Sequence, residues 1–212
     1  MCGIFGYIGQ QNDGAEKVLH GLKQLEYRGY DSWGVAAVAA SEGKDVVESP
    51  QILIEKHVGK IGEATLGITN VASALAVGHT RWATHGGVTV ANAHPHLDSQ
   101  RKMAVVHNGI IENYQELKAE LLTKGYHFQS ETDSEVFTFL LEEELKTQPV
   151  LEAVQHVFKR LHGLNAFVIL LPNLNRLITV RKGSPLALGK SADGLFVASD
   201  ASAMALYADQ VF

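Results

Sequence analysis

The sequence predicts an α+β fold in which antiparallel or mixed sheets pack against helices, and three observations carry that prediction. Strand-like and helical segments come in blocks and do not alternate, which argues against a parallel βαβ array. The runs NAFVILL and RLITVRKG flank a turn at residues 172–175 and read as an antiparallel hairpin. With 46% hydrophobic content, the 212-residue chain can bury a substantial core, and it reads as one domain over residues 1–212.

Each element follows from a local pattern. Residues 2–9 alternate apolar side chains with glycine and predict a short strand, and Asn12-Asp13-Gly14 predicts a turn. Ala15, Val18, Leu22 and Leu25 recur at helical spacing, and the helix is expected to run to Arg28-Gly29, a basic last turn followed by a glycine stop. Strands are expected at 33–39, 51–57, 75–82 and 103–107, separated by loops rich in Gly, Asn and His. Three apolar stripes then predict helices: Tyr114, Leu117 and Leu121; Val136, Phe137, Leu140 and Leu141; and Leu151, Val154, Phe158 and Leu161, the last with Pro149 in its first turn. GLFVASD adds a strand after the hairpin.

Composition excludes several classes of function. A net charge of −5 with no clustered basic face argues against a nucleic-acid partner. The longest apolar runs, such as 166–171, fall far short of the ~20 residues of a membrane span, and the N-terminus lacks a basic signal region. One cysteine and no N-x-S/T sequon fit a cytoplasmic protein with a free thiol. Glycines 3, 6 and 9 do not match a dinucleotide fingerprint, and Gly59-Lys60-Ile61-Gly62 lacks the spacing of a phosphate-binding loop. His79, His85, His94, His96 and His107 cluster within 29 residues, yet without HExxH or cysteine partners no metal is expected.

The only cysteine is Cys2. It reads either as a small buried hydrophobe at a strand start or as a nucleophile. Removal of Met1 would place the thiol beside its own α-amine, whose reference pKa of about 7.7–8.0 suits a base. Asn108-Gly109 reads either as a hairpin turn or as a side-chain amide plus an unhindered N–H for an oxyanion, and the helical stripe after it weakens the hairpin. Arg81 could fork a substrate carboxylate or make a surface salt bridge. Asp133 could pair with a substrate ammonium, or sit at a helix start where Thr132 and Glu135 fit a capping box. Together these groups suit an amino acid whose side-chain carbonyl reaches a thiol.

The motifs MCGIFGYIG, LEYRGYDS, HTRWATHG, NAHPH, HNGIIENY and SETDSEV, in this order, resemble the glutaminase domain of the glutamine:fructose-6-phosphate aminotransferases (isomerizing), within the class II glutamine amidotransferases. The resemblance runs through nearly the whole chain. It implies a four-layer αββα N-terminal-nucleophile hydrolase fold, with two antiparallel sheets between helical layers. It also implies Cys2 as nucleophile, Asn108 and Gly109 as oxyanion hole, Arg81 as carboxylate clamp and Asp133 as ammonium partner. Trp82, Thr84 and His85 match a loop closing over L-glutamine, and Arg28 and His94 match supporting positions. No cofactor is implied. The expected reaction is hydrolysis of glutamine to glutamate and ammonia through a γ-glutamyl thioester, the ammonia passing to a sugar isomerase domain that converts fructose 6-phosphate and is absent from this chain. The chain would then be an isolated domain or a stand-alone subunit, with homodimerisation open. A glutamine-sensing module without turnover is the competing expectation.

Two departures from the family pattern carry expectations of their own. Trp33 replaces a small residue and implies repacking near the site. Gly86-Gly87 implies a looser closing loop and weaker glutamine affinity.

Overall fold

The computed structural model describes residues 2–39, 50–70 and 72–212. In chain order its elements are β1 (Gly3–Gly9), α1 (Gly14–Gln24), β2 (Ser32–Val38), β3 (Ile52–Val58), β4 (Leu75–Arg81), β5 (His96–Leu97), β6 (Ala104–Gly109), α2 (Tyr114–Thr123), α3 (Ser134–Glu144) and α4 (Val150–Arg160). There follow β7 (Asn165–Leu171), β8 (Arg176–Lys182), β9 (Ala187–Lys190), β10 (Gly194–Ala198) and β11 (Gln210–Val211). The strands form a seven-stranded sheet in the order β11-β9-β10-β1-β4-β2-β3 and a four-stranded sheet in the order β5-β6-β7-β8. Every strand pairing among the described elements is antiparallel.

Side-chain alternation along the strands builds four layers. Phe5 and Tyr7 of β1, with Val35 and Ala37 of β2, point to one side and pack with Val18 and Leu22 of α1. Their neighbours Ile4, Ala36 and Val77 point the other way and meet Ala104, Val106, Val168 and Leu170 of the smaller sheet. On that sheet's far side Val105, Phe167 and Ile169 pack against Leu121, Phe137 and Val157 of the three remaining helices. The layers are therefore α1, large sheet, small sheet and α2–α4, as the αββα expectation requires. The same alternation puts Cys2, two residues before Ile4, on the inter-sheet side at one end of the sandwich.

Local expectations fail in four places. Helix α1 ends at Gln24, and a single 3₁₀ turn over Glu26–Arg28 carries the chain to Gly29. In α4 Pro149 is the N-cap, and the buried face is Ala153, Val154 and Val157 while Leu151 is exposed. The capping box does not form: Glu135 accepts the N–H groups of Gln129 and Ser130, at 3.0 and 2.8 Å, instead of that of Thr132. Trp33 points into the core under α1 and stacks on His57 with ring centroids 4.5 Å apart, so its bulk is absorbed away from Cys2.

Candidate active site

Three strand ends converge where the sheets open. β1 and β4 are paired through Gly3 and Thr80, which sets Cys2 beside Trp82. The Trp82 N–H donates to Cys2 Sγ at 3.2 Å, and the thiol lies 3.6 Å from the Trp82 carbonyl, to which it donates. From the other sheet, the Asn108 Nδ2 donates to the Cys2 carbonyl at 3.0 Å. Asn108-Gly109 closes strand β6 and makes no hairpin turn. Gly109 has φ +136°, and a Cβ there would lie 2.2 Å from the Leu164 carbonyl oxygen, so only glycine fits beside the thiol.

Two adjoining cavities share Cys2. A cleft of about 480 Å³ is lined by Cys2, Arg28, Trp82, Thr84, Asn108 and Gly109, with Ile110, Leu164 and Pro185 on its apolar wall. A recess of about 20 Å³ is lined by Cys2, Arg81, Trp82, Thr84, His85, His94, Gly109 and Asp133. All ten sequence-predicted residues thus border one or both cavities. A larger cavity, about 730 Å³ near Lys56, Asp98 and Glu142, contains none of them.

The recess is small because its charged groups are engaged. Arg81 is buried and donates to the carbonyls of His85, Gly86 and Gly87, the last at 3.0 Å, so it is no surface salt bridge. Asn92 and Glu131 clasp the same loop: Asn92 Nδ2 donates to the Gly87 carbonyl at 2.9 Å and Gly87 N–H to Glu131 at 3.1 Å. Gly86 adopts φ +75° with Asn92 and Glu131 where a Cβ would go. Asp133 stands at the N-cap position of α3, but its side chain makes no capping bond; its Oδ2 accepts the Ile111 N–H at 2.7 Å. A space of this size holds about one water, so a larger group could reach Arg81 only as the 85–87 carbonyls leave it.

Burial pushes the Cys2 thiol above its ordinary pKa, and the Trp82 N–H with the charges of Arg81 and Arg28 offsets only part of this. The thiol is therefore largely protonated near neutrality and needs a base to become a nucleophile. Among the described residues its hydrogen-bond partner is the Trp82 backbone, and no imidazole or carboxylate hydrogen-bonds to it.

The clustered histidines pack as rings. His79 and His94 have centroids 4.2 Å apart, His94 and His96 4.5 Å, and His107 stacks on Phe167. Among the described residues no group of three or more His, Cys, Asp or Glu is placed to hold a metal ion.

Sequence reasoning missed several supports of the site. Asp31 of RGYDS accepts the Ala83 N–H at 2.9 Å and anchors the chain after Trp82. Arg28 donates to the Ser199 carbonyl at 2.9 Å and pairs with Asp200 at 3.5 Å. His79 Nε2 lies 3.1 Å from Asn108 Oδ1, and Asn92 with Glu131 holds the 85–87 loop. Arg28, Asp31, His79, Asn92 and Glu131 all lie inside quoted motifs, and Arg28 is an expected support, but their contacts join segments far apart in sequence.

A family model described as a glutamine amidotransferase domain matches residues 79–206, a span that holds Arg81, His94, Asn108 and Asp133. The chain belongs to this glutamine amidotransferase family. Cys2 and Arg28 precede the matched span and reach it through the β1–β4 pairing and the Ser199 contact. The amidotransferase domain is 44% identical over 217 residues to glutamine–fructose-6-phosphate aminotransferase [isomerizing] of Methanococcus maripaludis, covering 98% of this chain and 34% of that protein. It is 46% identical over 211 residues to the protein of the same name from Pyrococcus horikoshii, with 98% and 34% covered. The chain thus spans about a third of the length of these curated relatives. Among solved structures, glutamine phosphoribosylpyrophosphate amidotransferase from B. subtilis, complexed with ADP and GMP, aligns with TM-score 0.79 and 25% identity over 96% of this chain and 43% of that one. In the described residues no helix is long and apolar enough to cross a membrane.

Proposed function

We propose that this domain hydrolyses L-glutamine to glutamate and ammonia with Cys2 as nucleophile, and that the ammonia serves a sugar isomerase domain making glucosamine 6-phosphate from fructose 6-phosphate. The observation that carries the reading is a half-buried thiol with no side-chain base, set between the Asn108 amide and a recess bearing Arg81 and Asp133. Such a thiol requires a base from the backbone, and the α-amine of Cys2 becomes one when Met1 is removed. Met1 itself lies outside the described residues.

The steps follow from these groups. Arg81 takes the substrate α-carboxylate and Asp133 its α-ammonium, which directs the side-chain amide to Cys2. The α-amine accepts the thiol proton as sulfur attacks the amide carbon, and the oxyanion is received by Asn108 Nδ2 and the Gly109 N–H. Collapse breaks the C–N bond, the protonated α-amine gives its proton to the departing nitrogen, and ammonia leaves a γ-glutamyl thioester. The α-amine then deprotonates a water that attacks the thioester carbon; glutamate departs and the thiol is restored. Trp82, Thr84 and His85 close over the substrate, and Arg28 and His94 support the walls. The ammonia acceptor is inferred from the names of the whole-length relatives.

Intact mass and a glutamate-release assay on the purified chain test the reading. The expected result is a chain beginning at Cys2 that releases glutamate and loses this activity in Cys2→Ala. Glutamine binding without turnover, on a chain that keeps Met1, would replace hydrolysis by sensing.

A further inference from the structure

The geometry points to His79 as a positioning residue, whose Nε2–H holds the Asn108 side-chain amide with its nitrogen end toward Cys2. The inference rests on the reading of Cys2 as nucleophile and adds to it what orients the oxyanion donor.

His79 lies on β4, two residues before Arg81 and on the same face, fully buried where the two sheets meet. Its Nε2 is 2.8 Å from the His107 carbonyl oxygen and 3.1 Å from Asn108 Oδ1. A carbonyl oxygen can only accept, so the ring is assigned the tautomer with its proton on Nε2. That proton, shared between two oxygens, then decides which way the amide faces. With Oδ1 on His79, both N–H bonds of Nδ2 lie on the Cys2 side; one reaches the Cys2 carbonyl at 3.0 Å and the other is available to the cleft that Asn108 lines. A flipped amide would set Nδ2 against the imidazole N–H, donor to donor, and Oδ1 against the Cys2 carbonyl, acceptor to acceptor. The fixed chain is therefore His107 carbonyl, His79 tautomer, Asn108 orientation, oxyanion donor.

The surroundings keep the imidazole in this one state. Burial holds its pKa down to about 3, with His107 and Arg81 acting in the same direction, so it stays neutral throughout the working range. The His94 ring covers it at 4.2 Å, and its Nδ1 has no hydrogen-bond partner among the described residues. It does not contact the thiol and is not the base. Its effect passes through Asn108 alone.

Glutamine steady-state kinetics on the mature chain that begins at Cys2 test this with four variants. Glutamine reaches as far as Nε2 and can donate there, whereas asparagine ends near Nδ1 and leucine donates nothing. His79→Gln is expected to keep kcat within about fivefold of the parent, while His79→Asn and His79→Leu lower it about 10- to 100-fold with KM within about threefold, short of the ~10²–10³ cost of deleting an oxyanion donor. Adding His79→Leu or His79→Asn to Asn108→Ala should slow it no more than about twofold further, because the group His79 acts through is gone. Equal impairment in the Gln and Asn variants, or losses that multiply in the double variant, would overturn the assignment while leaving the Cys2 mechanism standing. A parent chain that hydrolyses no glutamine would overturn both. If the leucine variant fails to fold, the Gln and Asn pair decides by itself, since both are polar and differ in reach.

Discussion

Acidification should unfold this domain through its buried histidines. Burial holds His79 at about 3 and His94 and His96 well below the ordinary imidazole value. In the unfolded chain each returns to about 6.5. The folded pKa is depressed, so the unfolded state binds more protons below pH 6.5; the stabilisation is complete above that pH and is lost as pH falls toward the folded value. At pH 5 the imbalance amounts to about 2 kcal/mol for His79, and His94 and His96 add to it in the same direction, against a typical total of about 5–15 kcal/mol. Asp98, raised by burial, works the other way but is one group against three. With about 2–4 °C per kcal/mol at this chain length, the Tm should fall by at least about 4–8 °C between pH 7.5 and pH 5. Circular dichroism melts across that range measure it, and His96→Gln should recover part of the pH-dependent loss, whatever it does to absolute stability. A Tm at pH 5 within about 4 °C of its value at pH 7.5 would refute the reasoning.

Three further outcomes test the site itself. Asp133→Asn, which can still accept the Ile111 N–H, should raise the glutamine KM about 10- to 100-fold with a smaller effect on kcat, the scale of one charged hydrogen bond; an unchanged KM would remove Asp133 from the substrate site. Gly87→Ala, whose Cβ would meet little beyond Thr89 at 3.9 Å, should lower KM about two- to fivefold by restricting the open loop. A KM indifferent to Gly87→Ala would count against a loop made loose by glycine. Because burial raises the Cys2 thiol, its alkylation by iodoacetamide should keep accelerating through pH 9 as thiolate forms, and a plateau below pH 8 would contradict that shift.

What the sequence made legible was whatever is periodic or contiguous. The long strands and all four helices lie where alternation and 3.6-residue stripes predict them, because each stripe faces one of three apolar layers. Strands β5, β9 and β11 were not foreseen, since two to four residues define no period and exist only through their neighbours. The early end of α1 was missed for a similar reason: Leu25 is buried, so it continues the apolar stripe, but the backbone has already tightened into a 3₁₀ turn. For Trp33 the pattern supplied the alternation but not which face of β2 holds the thiol, and the ring turned out to lie on the other one.

The site divides along the same line. Residues whose chemistry is read from type and local motif, namely Cys2, Arg81, Asn108 and Asp133, gather around one pair of cavities. Residues that act by holding those groups do not announce themselves. His79 opens the HTRWATHG motif but reads in the sequence only as one of five clustered histidines, a pattern that raises a metal site, and its partner Asn108 is 29 residues away on the opposite sheet. Its role depends on an acceptor that fixes a tautomer, which no spacing rule encodes. The same holds for Glu135, which has the spacing of a capping box yet turns back to Gln129 and Ser130, leaving Asp133 for the Ile111 N–H and the recess. A motif therefore specifies which atoms are available for chemistry, while cross-sheet contacts decide the direction in which each one points.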